Sequence, residues 1–283
     1  MTNDLSIHFH TPPVSEVVFS VQFDKPAIDE VGILSEYWPK IRETYGRHEK
    51  QPPLLPAVET FDIPIPGPFP FQFFQSFGEA MPQRYWFLNE DGTQLVQVQP
   101  DRLLFNWRKV GGNEVYPRYE NLLPRYTDLL RSFLSCGEVV EKQAKVAWVE
   151  IQYVNPIEIK PHNGVGHGQL GSILNLLVKD PPRKALPPVE DIQLQERFRV
   201  NWPDGEPRGR LYLTATPGLT AVPAEGRENL VAYVVTLLAR GRPGKQEDPV
   251  EAVEDFLNVG HNLIVRGFNQ VTRPEMHDLW GKS

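Results

Sequence analysis

The sequence predicts an α+β fold of two β-α-β(3-4)-α repeats, with antiparallel sheets and helices on one face. Three observations predict it. Apolar and polar residues alternate with period two over several short segments, apolar residues recur at helical spacing over two long ones, and the order strand, helix, several strands, helix occurs twice. The first repeat is assigned to residues 1–140, with a Pro-rich arm at 48–71, and the second to 141–283, with a Gly/Pro-rich loop at 161–190.

In the first repeat, Val17, Phe19, Val21 and Phe23 alternate with Glu16, Ser20 and Gln22, which predicts a half-buried strand over 14–23. Ile33, Leu34, Tyr37, Trp38, Ile41 and Tyr45 then recur at helical spacing, with Pro39 expected to bend the helix or start a second turn segment. Seven prolines between positions 52 and 70 forbid regular pairing and predict an extended arm. Two hairpins follow, 84–88 with 95–99 through Asn89-Glu90-Asp91-Gly92, then 103–108 after Pro100-Asp101-Arg102. Tyr119, Leu122, Leu123, Tyr126, Leu129, Leu130 and Phe133 give a helix over 116–134 that stops at Gly137, with Pro117 in its first turn and Pro124 as a kink.

The second repeat reads as a strand at 146–159, a short helix at 169–178, a Pro-rich link at 179–188, and strands at 191–202, 210–216 and 229–238. Asp248-Pro249-Val250-Glu251 forms a capping box with proline at the first helical position, opening a long helix through Val253, Leu257, Ile264 and Phe268. Residues 272–275 cap one final short turn. This doubled order is that of helix-grip and TATA-binding-protein-like folds, an analogy of architecture that implies no activity.

Composition narrows the classes of function. A chain of 283 residues, 40% of them hydrophobic, buries a core without staples, and a single cysteine, Cys136, excludes an internal disulfide. The first ten residues lack the basic start and apolar run of a secretory signal, so a cytoplasmic location is expected. The apolar stretch 230–239 is half the length of a membrane span, so no membrane is expected. The net charge of -7 repels a phosphate backbone and lowers the expectation of nucleic-acid binding.

Pro12-Pro13-Val14-Ser15-Glu16, Gln97-Val98-Gln99-Pro100-Asp101-Arg102, Asn106-Trp107-Arg108, Tyr116-Pro117-Arg118-Tyr119 and Tyr153-Val154-Asn155 span most of the chain. In combination they resemble the marks of an uncharacterised, sporadically distributed bacterial family. That family carries no assigned chemistry. Its patchy distribution is similar to that of mobile-element cargo, which implies a role in bacterial defence with a partner protein encoded nearby.

The candidate binding residues come from the polar sides of the strands. Val96, Val98, Leu103, Phe105 and Trp107 share an apolar face, whereas Gln97, Gln99, Asn106 and Arg108 share the other. In the second half Ile192, Leu194, Phe198, Val200 and Trp202 alternate with Gln193, Gln195, Arg197, Arg199 and Asn201. Amides and guanidiniums on a rigid sheet offer directional donors suited to carboxylates, phosphates or exposed peptide backbone. The bland alternative is a merely solvated face.

Glu16, Gln22, Glu150 and Gln152 are secondary candidates on the opening strand of each repeat. The two glutamates could do acid-base work if they met across a cleft, or each could pair with an arginine such as Arg108 or Arg197. Gly166-His167-Gly168-Gln169-Leu170-Gly171 has the spacing of a dinucleotide loop, but strands that alternate do not suit a doubly wound sheet, and a surface loop is the better reading. His8, His10, His162 and His167 lack a readable third metal ligand, and Cys136 lacks a partnering His or Asn, so no metal, cofactor or catalytic residue is assigned.

The expected function is a non-enzymatic interaction protein that binds a partner protein, with homo-oligomerisation left open. Two alternatives remain: a ligand-binding or hydrolytic enzyme with a cavity between sheet and helix, and single-stranded nucleic-acid binding.

Overall fold

In the strand Glu16–Phe23 (β1) of the computed structural model, Phe19 and Ser20 point to opposite faces of the sheet. The structure describes residues 7–57, 59–61, 83–159, 167–177, 185–219 and 231–282. After β1 come α1 (Glu30–Gly32), a π-helical turn (Ile33–Tyr37), α2 (Trp38–Ile41), β2 (Arg47–Gln51), β3 (Arg84–Leu88), β4 (Gln94–Gln99), β5 (Arg102–Arg108), α3 (Tyr119–Leu134) and α4 (Gly137–Lys142). The second half contains β6 (Val146–Glu158), a 3-10 turn (His167–Ser172), β7 (Leu194–Asn201), β8 (Pro207–Leu219), β9 (Val231–Gly241), α5 (Pro249–Val271) and α6 (Pro274–Leu279).

The fold is mixed α+β. Among the described residues nine strands form one sheet in the order β2-β3-β4-β5-β1-β6-β9-β8-β7, and every pairing is antiparallel. β1 and β6 pair at the middle, Phe19 opposite Ile151 and Ser20 opposite Glu150. An all-antiparallel sheet removes the dinucleotide reading, which needs parallel strands. His167–Ser172 is instead pinned to the sheet, His167 Nε2 lying 3.1 Å from the Gly218 carbonyl and 3.0 Å from that of Ala232.

The helices lie on the Phe19 face. There Phe19 stacks on Tyr126 of α3 at 5.4 Å and on Phe105 of β5 at 6.2 Å between ring centroids, all fully buried. Side chains of this size contribute roughly 1.5–3 kcal/mol each on burial. Helix α5 sits on β6 and β9 through Gly260, where an added Cβ would stand 2.7 Å from Ile151 Cγ2. Asp248 caps α5 as expected, accepting from the backbone N–H of Val250 at 2.7 Å and of Glu251 at 3.1 Å.

Several boundaries differ from expectation. The helix over 33–45 is a π-helical turn followed by α2, with Trp38 N–H donating to the Ile33 carbonyl; Pro39 has no N–H to continue a regular ladder. The helix expected at 169–178 is only the 3-10 turn, whose Gly168 and Gly171 are poor helix formers; position 178 lies outside the described residues. Helix α3 ends at Leu134, and Gly137 opens α4 instead of ending a helix, a segment with no apolar stripe: Val139 is buried and Val140 is exposed. Strand β8 extends over Pro207–Leu219, well beyond the predicted 210–216, because β7 pairs with it from Pro207 to Ala215 and β9 from Gly209 to Leu219.

Candidate functional site

The apolar face read from the sequence is the helix-covered one, with Val96, Val98, Leu103, Phe105 and Trp107 all buried. The expectation of an open polar face fails for the first half. Gln97, Gln99 and Asn106 are only 6%, 3% and 4% exposed, and Gln22 and Arg102 beside them are buried too. Burial demands partners, and two arrangements supply them.

One is a chain of side chains across four strands. Arg84 Nη1 and Trp86 Nε1 donate to Gln97 Oε1 at 2.7 and 2.9 Å, Gln97 Nε2 donates to Asn106 Oδ1 at 2.8 Å, and Asn106 Nδ2 donates to Glu16 Oε1 at 2.7 Å. Arg108 closes this end, its Nε donating to the Gly92 carbonyl.

The other arrangement is a strap. Residues 48–51, expected in the Pro-rich arm, pair with β3 instead because the first proline comes only at position 52; from there the arm crosses the polar face at right angles to the strands. On β4, the Gln99 amide pairs with both backbone groups of Leu54, accepting from its N–H at 2.9 Å and donating to its carbonyl at 3.1 Å. Arg102 of β5 donates to the Leu55 carbonyl at 3.0 Å, and Gln22 of β1 accepts from Ala57 N–H at 2.8 Å. At the far end Arg210 of β8 reaches the Thr60 carbonyl at 2.6 Å, and Arg199 of β7 reaches that of Phe61 at 3.0 Å. An extended chain of seven residue steps spans roughly 25 Å. Six strand spacings make about 29 Å, so long side chains at both ends complete the reach. The arm from 62 onward lies outside the described residues.

Glu59 is the one carboxylate on the strap, and its side chain is fully sealed from solvent. It is paired with Arg210, lies 3.1 Å from Arg240 Nη1, and accepts from the Tyr212 hydroxyl at 2.5 Å. Burial, then the bond to Glu59, pushes the Tyr212 phenol up to about 12. Arg240 also pairs with Glu150. Burial works against its charge, but the carboxylates of Glu150 and Glu59 outweigh that and hold its pKa above the ordinary arginine value.

Glu16 and Glu150 therefore do not share a site. Glu150 lies opposite Ser20, four residues along β1 from Glu16, which separates the two by roughly 13 Å. Each has its own partner, Asn106 for Glu16 and Arg240 for Glu150; neither Arg108 nor Arg197 fills that place. Gln152 is half-buried between Val18 and Leu238. Gln195, Arg197, Arg199 and Asn201 lie on β7 and are exposed, whereas Gln193 precedes the strand. No group of three metal-ligating side chains occurs among the described residues, and His162 lies outside them. Cys136 is buried, which pushes its thiol up to about 11.

On the helix side lies a cavity of about 370 Å³ between the segment 7–14, the start of α3, β6 and α5. Three stretches singled out in the sequence converge on it through Pro12, Val14, Tyr116, Arg118, Tyr119, Tyr153 and Asn155. Tyr116 OH lies 3.1 Å from Tyr153 OH, which in turn lies 2.9 Å from His261 Nδ1, and the His261 ring stacks on Tyr119 at 3.9 Å. Burial pushes His261 down to about 4, against a small opposing pull from Glu120. Arg118 holds φ 73°, ψ 156°, a region that glycine alone enters freely, at a cost on the order of 1–3 kcal/mol. Sequence reasoning passed over His261, because one histidine on an amphipathic helix carries no local signal. Glu59 was passed over for a similar reason, as one acidic residue in a Pro-rich stretch.

Compared with models of known protein families and with curated proteins, the chain matches none.

Proposed function

We propose that the protein is a non-enzymatic interaction protein whose polar sheet face reads an extended peptide segment of a partner protein. The observation that carries this is the two-way pairing of the Gln99 amide with the backbone of Leu54. A side-chain amide that takes both the N–H and the C=O of one residue recognises backbone whatever the side chain. Arg102, Gln22, Arg210 and Arg199 repeat the theme, and the Arg210, Arg240 and Tyr212 cluster adds a demand for a carboxylate five positions after the first anchor. In this reading the protein's own strap occupies the face and the partner replaces it. Ser20 Oγ and Arg102 Nε, on the same face, are buried without a hydrogen-bond partner among the described residues, so the strap does not saturate it.

The architecture supports the same reading. We read the two halves as copies of one unit in a TATA-binding-protein-like, helix-grip arrangement; in support, β1 and β6 open the halves and pair at the centre, and α3 and α5 cover the face opposite the strap. The defence setting implied by the resemblance adds a partner encoded nearby.

The test uses the full chain carrying Glu59→Lys, which sets a cation against Arg210 and Arg240 and drives the strap off. A fluorescent peptide with the sequence of residues 52–61 is titrated against it by anisotropy. Saturable binding to the variant, absence of binding to the wild type, and at least tenfold weaker binding of a peptide in which the glutamate is replaced by glutamine are expected. A variant that melts normally yet ignores the peptide overturns the reading. Binding of labelled single-stranded DNA in place of the peptide assigns the arginine row to nucleic acid instead.

A further inference from the structure

We propose that the cavity on the helix side of the sheet is a second binding site, and that it takes a small monocarboxylate with an aromatic body. The site lies across the sheet from the strap and stands independently of it.

The body of the ligand follows from the walls. Phe9, Val14, Tyr119, Tyr153, Ile264 and Phe268 enclose a space of about 370 Å³, which suits a one- or two-ring aromatic group. The rings of Phe9, Tyr153 and Phe268 suit an aromatic guest, whereas Tyr119 is already stacked on His261 and Phe19 and serves as wall.

The charge of the ligand follows from Arg118, the one permanent cation among the described residues that line the cavity. Its Nη2 donates to the carbonyls of Phe9 at 2.8 Å and His10 at 3.2 Å, which fixes the guanidinium against the wall. Among the described residues its Nε and Nη1 meet no acceptor. The backbone enters the glycine region at this residue, and Tyr116 and Tyr119 on either side are both committed to the cavity. Arg118 is also the N-cap of α3, and its side chain is not spent on capping the helix. His261 is neutral at physiological pH and brings polarity without charge. Glu120, exposed at the rim, is the single carboxylate in the lining and opposes an anionic guest weakly, since solvent screens it.

Isothermal titration of the full chain with 1-naphthoate tests the proposal, with 1-naphthamide and 1-naphthylmethylamine as neutral and cationic comparators. One saturable site is expected, with a Kd at least tenfold lower for the acid than for either comparator. Arg118→Gln should weaken the acid at least tenfold and leave the amide within twofold. Arg118→Lys should retain most of the affinity, and Glu120→Gln should tighten the acid by about twofold. Should the glutamine variant fail to fold, the three compounds on the wild type still decide. Equal binding of acid and amide, preference for the amine, or no saturable binding of naphthoate overturns the proposal. Glu59→Lys should leave naphthoate binding unchanged, so this site and the peptide-reading face succeed or fail separately.

Discussion

The Glu59 carboxylate is held by the Arg210 guanidinium, 151 positions further along the chain, with the glutamate side chain fully shielded from water. Arg240 and Tyr212 complete its surroundings, so this side chain, with the carbonyls of Thr60 and Phe61 beside it, fastens the strap to the second half of the sheet. Removing one member of a buried ion pair costs roughly 3 kcal/mol, because the partners are left desolvated and unpaired. Glu59→Ala should therefore open the strap about a hundredfold more often. Chymotryptic cleavage after Leu54, followed by mass spectrometry, should accelerate by that factor while the sheet itself still melts cooperatively. Unchanged cleavage would mean that Gln99, Gln22 and Arg102 hold the strap without help.

Acid should destabilise the protein through His261. Its folded-state pKa of about 4 lies below the ordinary 6.5, so the unfolded chain binds an extra proton between those values. The penalty is absent above pH 6.5, grows as the pH falls, and is complete near pH 4. Between pH 7.5 and 5 it amounts to about 2 kcal/mol. Urea melts of the wild type and of His261→Gln at both pH values separate this group from the rest of the protein: the wild type should lose about 2 kcal/mol more than the variant. Parallel losses would show that His261 does not carry the dependence.

Gly260→Ala sets two effects against each other. Alanine favours a helix interior by about 1 kcal/mol over glycine. The new Cβ, however, would stand 2.7 Å from Ile151 Cγ2 and 3.0 Å from Ala239 Cβ, both on the sheet beneath. Overpacking of this kind costs about 1–3 kcal/mol, and β-branched Ile151 has little freedom to yield. A net loss of about 1 kcal/mol, the middle of that difference, read as a lower urea midpoint, is the expected outcome; a rise would mean that α5 lifts off the sheet readily.

Cys136 should be unreactive in the native protein. Its thiol is buried, burial pushes its pKa up to about 11, and its Sγ points toward the Ser132 carbonyl at 3.6 Å. Alkylation by iodoacetamide at pH 8 should run more than a hundredfold slower than in 8 M urea, since only the open, ionised form reacts. Rapid native labelling would place the end of α3 in frequent local opening.

The alternation of Val17, Phe19, Val21 and Phe23 with Glu16, Ser20 and Gln22 determined by itself that β1 has two unlike faces. The 3.6-residue spacing of Tyr119, Leu122, Tyr126, Leu130 and Phe133 likewise determined the helix that covers one of them. These are local properties, written into neighbouring residues by the period of the backbone. What lies over the other face is not local. Gln97, Gln99 and Asn106 read as wet residues because nothing near them in the chain predicts a lid, yet they are buried beneath partners from β3 and the strap. The meeting of Glu59 with Arg210, and of Tyr116 with Tyr153 and His261, joins segments up to 151 positions apart. Only the assembled sheet decides such encounters, because loop closure brings distant side chains together through packing that no short window of sequence contains.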